Sequence, residues 1–235
     1  MTHQTMGVGD TTILTVHGIQ GTCAAWLPVA EVYGSKASFI SANLRGRGDA
    51  FRGQGPQDYS LQAYARDLQQ VVHDQVDTAP FILAGWSMGV SVILEYLRQA
   101  DAARPHGLIL LSGTPALSLT HWFASEGEQL LIDVAEREKR LGLLQAADHQ
   151  AVVWTWEAIR CTDHRSDLAA IEIPTLVIHG SEDKDSPVEH AQWMAEGIPH
   201  ADLHIIEGAG HSLLANNTAA VVRKISDFIS TFTHA

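Results

Sequence analysis

The chain has 235 residues, 46% of them hydrophobic, and carries 27 acidic against 15 basic side chains for a net charge of −12. That is enough apolar material for one sizeable core, and a single domain over residues 1–235 is expected. The acidic balance speaks against nucleic acid, since no basic patch offsets it, and no apolar run approaches the length of a membrane span. Met1-Thr2-His3-Gln4-Thr5 lacks the basic and apolar segments of a secretory signal. Two cysteines, Cys23 and Cys161, are too few for a disulfide framework and fit a cytoplasmic location.

In chain order, the β-branched run Thr11-Thr12-Ile13-Leu14-Thr15-Val16 predicts a strand entering the loop His17-Gly18-Ile19-Gln20-Gly21. Such a loop can aim a backbone N–H at a reacting atom, and Ile19 is the candidate donor; His17 reads as a side chain that shapes the loop. A strand near 38–42 leads into Asn43-Leu44-Arg45-Gly46-Arg47-Gly48. Its two arginines either meet a substrate carboxylate or, the commoner use, tie loops together. Ser60 caps a helix whose Leu61, Tyr64, Ala65, Leu68, Val71, Val72 and Val76 share one face.

A strand near 80–85 runs into Gly85-Trp86-Ser87-Met88-Gly89, followed by an apolar helix from Val90 to Leu97. Strand, sharp turn and helix with a serine at the apex form a nucleophile elbow, and its glycines leave room for backbone where a Cβ would clash. Ser87 is the candidate nucleophile and the Met88 N–H a second candidate oxyanion donor.

After a strand near 107–111, about sixty residues intervene before the next one at 174–179. They predict helices over 128–144 and 148–160, and they hold Trp122, Phe123, Trp154 and Trp156. Those aromatics either anchor the segment or line a pocket; Trp86, Trp122 and Trp154 are the candidate substrate contacts, with packing under the elbow the competing role for Trp86. The loop from Gly180 to Pro187 offers Glu182, Asp183 and Asp185 as acids. A strand near 202–206 precedes Gly208-Ala209-Gly210-His211, where His211 can act as general base. His200 and His204 straddle a loop and a strand, so no metal site is expected there. Residues 218–232 predict a closing helix.

Val16-His17-Gly18, Asn43 to Gly48, Gly85 to Gly89, Gly180 through Asp183 to Pro187, and Gly208 to His211 occur in that order. Together they resemble the α/β-hydrolase superfamily over nearly the whole chain. The resemblance implies an α/β fold with a mainly parallel central sheet of roughly six strands, flanked by helices, N-terminally shortened, and a small helical cap inserted at about 114–170. It implies Ser87 as nucleophile, Asp183 as acid and His211 as base, with Ile19 and Met88 as the oxyanion hole. Two positions depart from the family pattern: Asn43 where Asp is frequent, and Val90 where Gly often follows the elbow.

The expected activity is hydrolysis of a small carboxylic ester, lactone or thioester through an acyl-enzyme, with no metal or organic cofactor. The expected partner is a small-molecule substrate, and the chain is expected as a monomer or small homo-oligomer. Two other readings compete. One is a cofactor-free dioxygenase with histidine-based chemistry, which would want an acid near Ser112-Gly113. The other is a non-catalytic ligand binder.

Overall fold

The computed structural model describes residues 3–7, 9–76, 80–120 and 122–233. Seven strands form one sheet: β1 His3–Met6, β2 Thr11–Val16, β3 Ala37–Ala42, β4 Phe81–Trp86, β5 Gly107–Leu111, β6 Thr175–Gly180 and β7 Ala201–Ile206, in the spatial order β1-β3-β2-β4-β5-β6-β7. All neighbours pair in parallel except β1, which runs antiparallel to β3. Six strands stand where the apolar runs predict them. The seventh, β1, corrects the expected count: its four residues carry no strand pattern, and only pairing with Ala42 to Phe39 makes them one.

Among the described residues, eight α-helices complete the layers: α1 Leu27–Tyr33, α2 Leu61–Gln75, α3 Met88–Leu97, α4 Glu128–Leu141, α5 His149–Ile159, α6 Val188–Gly197, α7 Leu213–Asn216 and α8 Thr218–Thr233. Side chains alternate across each strand. Leu14, Leu83, Leu108 and Val177 therefore meet α2, α3 and α6, while Ile13, Ile82, Ile109 and Leu176 meet α1 and α8. Burial on both faces is why β4, β5 and β6 read as nearly continuous apolar runs.

Ser60 caps α2 by accepting from the Ala63 N–H at 3.2 Å, and Asp148 caps α5 by accepting from the Ala151 N–H at 3.0 Å. The helix expected over 128–144 stops at Leu141, because Gly142 takes the left-handed conformation (φ 60°, ψ 44°) and ends it. Helices α4 and α5 pack on each other, α5 also on the turn Pro56–Tyr59. Their apolar side chains Leu130, Val134, Val152 and Trp156 join the core on the α2–α3 face of the sheet. No helix among the described residues is long and apolar enough to cross a membrane.

Candidate active site

Val16 of β2 pairs with Gly85 of β4, so the loop after each strand leaves the same edge of the sheet side by side. This is where the strand order reverses, the position at which open parallel sheets form their crevice. Ser87 stands at the tip of the β4–α3 turn with φ 57° and ψ −121°, a conformation strained for a residue with a Cβ. The turn closes only without side chains on either side. A Cβ on Gly85 would lie 2.7 Å from the Gly89 carbonyl carbon, and one on Gly89 would lie 2.5 Å from the Val16 oxygen. Val90 fits after the elbow because Gly113 stands opposite, where a Cβ would meet Val90 at 2.2 Å. The Met88 N–H opens α3 and has no intrahelical acceptor.

His17 is buried, donates from Nδ1 to the Gly18 carbonyl at 2.8 Å and accepts at Nε2 from the Leu44 N–H at 3.2 Å. Burial, helped by the nearby Arg47 charge, pushes its pKa down to about 3. It is thus a neutral ring that shapes the loop carrying Ile19.

Pairing of Gly180 with Ile206 brings the loops after β6 and β7 together. His211 Nε2 lies 2.9 Å from Ser87 Oγ, and its Nδ1 lies 2.9 and 3.1 Å from the two oxygens of Asp183. With Nδ1–H donating to the carboxylate, Nε2 is left with a lone pair toward the serine. Asp183 Oδ1 also accepts the Asp185 and Ser186 N–H groups, each at 2.9 Å. Burial would raise the Asp183 carboxyl, but His211, His179 and these donors outweigh it and hold it below the usual carboxylate range. Asp185, the rival acid in the sequence, turns instead to Arg137 at 3.1 Å and Arg140 at 2.8 Å. Burial opposes its ionisation too, and Arg140 and Arg137 hold it well below the carboxylate range.

Trp86 is buried, donates from Nε1 to the His211 carbonyl at 3.1 Å and lays its ring 5.5 Å from the imidazole, so it braces His211. It also walls an apolar depression of about 240 Å³ with Ala25, Pro28, Leu143 and Leu214. A polar depression of about 200 Å³, lined by Arg140, Lys184, Asp185 and His211, opens on the other side of Leu141 and Ser212. A larger hollow of about 630 Å³ lies elsewhere, at the entry ends of β5 and β6 near Arg104 and Ile173, and holds none of these residues. Trp154 stacks 5.9 Å from Tyr59, an anchoring contact. Trp122 is buried against Trp156 at 5.6 Å.

Two residues beside the site, Gln20 and Arg137, were not singled out for this place by the sequence. Arg137 joins Asp185 to Gln20, donating to Gln20 Oε1 at 2.7 Å, and Gln20 Nε2 donates to the Val134 carbonyl at 2.8 Å. Arg47 is fully buried, donates to the Ile19 carbonyl, the Tyr64 hydroxyl and, at 3.2 Å, Thr155 Oγ1, and has no carboxylate partner among the described residues. It is a loop tie; Arg45 is another, paired with Asp67 at 2.7 Å. Asp183, Asp185 and His211 cluster within metal-ligand distance of one another, but their donor atoms already face each other and two arginines.

The family model for the alpha/beta hydrolase family matches residues 13–224. A non-heme chloroperoxidase of Kitasatospora aureofaciens is 26% identical over 74% of this chain and 77% of its own. A pimeloyl-[acyl-carrier protein] methyl ester esterase of Nitrosomonas europaea is 24% identical over 89% and 91%. Among solved structures, an esterase from Exiguobacterium antarcticum superposes with a TM-score of 0.82 at 20% identity, covering 97% of this chain and 94% of that one. With the family pattern running through both the sheet and the loops at its edge, the chain belongs to the α/β-hydrolase family.

Proposed function

We propose that this protein is a serine esterase acting on a small carboxylic ester, lactone or thioester. Family membership supports a hydrolase, and the family hosts many chemistries, so the reading rests on the site. The observation that carries it is the imidazole of His211 bridging Ser87 Oγ at 2.9 Å and Asp183 at 2.9 Å. In this reading His211 Nε2 takes the Ser87 proton as Oγ bonds to the acyl carbon. The N–H groups of Ile19 and Met88 stabilise the oxyanion, at about 3–4 kcal/mol for a well-placed donor. The acyl–oxygen (or acyl–sulfur) bond breaks, and the leaving group takes the proton back from His211. Water, deprotonated by the same nitrogen, then cleaves the acyl-enzyme and frees the acid and Ser87. Asp183 keeps the imidazole in the working tautomer and stabilises its protonated form.

We read residues of about 114–170 as a cap over this site within a single domain, and the cytoplasm as its place, in keeping with the free Cys23 and Cys161. The histidine-based dioxygenase reading is disfavoured at the end of β5, where the buried Ser112 stands in place of an acid. Intact-mass analysis after treatment with a small fluorophosphonate is the test. One adduct on the wild type and none on Ser87→Ala is expected; no adduct on folded wild type overturns the reading.

A further inference from the structure

Arg137 lies on the inward stripe of α4, in line with Leu130, Val134 and Leu141, where a solvated arginine would not be placed. Its guanidinium reaches the loops on both sides of Ser87. Nε donates to Asp185, two residues beyond Asp183, and Nη1 donates to Gln20, the neighbour of Ile19. In the sheet order β4 and β5 stand between β2 and β6, so Arg137 joins the two loops that flank the turn carrying Ser87.

Two of its nitrogens are thus occupied, and the third is not. Nη2 is buried and has no acceptor among the described residues, and the same holds for the indole Nε1 of Trp122. The two side chains are neighbours, with Arg137 Cζ 5.7 Å from the Trp122 ring centroid and 5.5 Å from that of Phe123. Orphaned donors in an apolar place are costly unless something accepts from them.

We propose that Arg137 Nη2 and Trp122 Nε1 receive a free carboxylate of the substrate, so that the ester cleaved at Ser87 is an anion. The inference rests on the esterase reading above and names its substrate class. A guanidinium and an indole N–H present donors to a flat carboxylate, and the rings of Trp122, Phe123 and Trp156 keep water from competing.

The test compares anionic esters with neutral isosteres in two arms. One uses the monomethyl esters of succinate, glutarate and adipate against the methyl esters of the corresponding half-amides. The other uses O-acetyl glycolate and O-acetyl 3-hydroxypropanoate against their amides. Wild type is expected to favour the anion by about tenfold or more in kcat/KM in one arm, which also tells which half of the substrate carries the charge. Trp122→Phe, which keeps the ring and removes the donor, is expected to cut that preference several-fold through KM, and Arg137→Met to abolish it. A labelled, active enzyme with no preference in either arm, or a preference surviving both substitutions, overturns the inference and leaves the esterase reading intact. If Ser87 is not labelled and no ester is cleaved, the esterase reading falls. Calorimetric titration with glutarate then decides the carboxylate site: binding by wild type that Trp122→Phe weakens supports it, and no binding overturns it.

Discussion

The turn that carries Ser87 and the loop that carries Ile19 lie side by side but are held by different means. The turn is held by the sheet and the helix it joins: the Ser87 N–H donates to the Leu111 carbonyl at 2.9 Å, and the bare Gly85 and Gly89 let it close against α3 and β2. The loop over residues 17–22 is held from a distance. Arg47 grips the Ile19 carbonyl, Gln20 reaches Val134 and Arg137 on α4, the Ala147 N–H donates to the Gln20 carbonyl at 2.8 Å, and Thr22 meets Gln145 at 3.1 Å. Ser87 is therefore held by the sheet and α3, whereas the Ile19 loop leans also on the segment between β5 and β6. Moving that segment is expected to disturb the second more than the first.

Substitutions can break this contrast. Ser87→Ala is expected to lower kcat on any ester substrate by about 10⁴-fold or more without changing the thermal midpoint by more than a few degrees, as read by kinetics beside calorimetry. Gly89→Ala should do the reverse of a clean active-site change. Its Cβ would stand 2.5 Å from a β2 carbonyl, so soluble yield and midpoint should both fall, and circular dichroism on heating would show it.

Next in size is Asp183→Asn, which leaves the shape of the site and takes away the charge behind His211. A loss of about 10⁴ in kcat is expected, and Asp185→Asn should not reproduce it in a parallel assay. Asp185→Asn should instead lower the thermal midpoint, because it leaves the buried Arg137 without its counter-charge.

Arg47→Met sharpens the comparison further. Arg47 is a buried cation without a carboxylate partner among the described residues, so an apolar side chain of similar length should cost little stability. It also holds the Ile19 carbonyl, so kcat should fall by about tenfold with KM little changed. A large drop in midpoint with normal kcat would show that Arg47 is a packing element and leaves the loop alone.

A last expectation concerns the pH dependence of stability. Burial depresses the pKa of His17 to about 3 and of His190 to about 4, from an ordinary value of 6.5. Between those limits the unfolded chain binds more protons, so stability falls as pH drops below about 6.5. Asp183 and Asp185, held below their ordinary 3.8, add a further loss only in stronger acid. Thermal midpoints across pH 7 to 4 would show the slope, and His190→Gln should flatten it.

How much of this was legible beforehand follows from the range of the forces involved. Strands β4, β5 and β6 are readable because a strand covered on both faces is apolar nearly throughout, and the cap at Ser60 because it acts within three residues. Strand β1 is invisible for the opposite reason: His3–Met6 is a strand only by pairing with β3. Arg137 hides in the charged run Glu136-Arg137-Glu138-Lys139-Arg140, which reads as a solvated face until the burial of Leu130, Val134 and Leu141 puts Arg137 on the inner stripe. The choice between Asp183 and Asp185 came from family spacing; their side chains differ only in which partner each one faces.

Sequence alone determined the chemical types and their order: a serine between two glycines at the end of an apolar run, an acid after the next strand but one, and a histidine after the last. Steric exclusion and hydrophobic burial act on neighbours in the chain, and neighbours are written there. Only the tertiary structure decided that Ser87, His211 and Asp183 stand within 2.9 Å of one another in turn, and that Arg47 and Arg137 reach the Ile19 loop from opposite directions. Hydrogen bonds between residues 28 to 124 positions apart have no local signature, because they exist only once the sheet has set the distance between its loops.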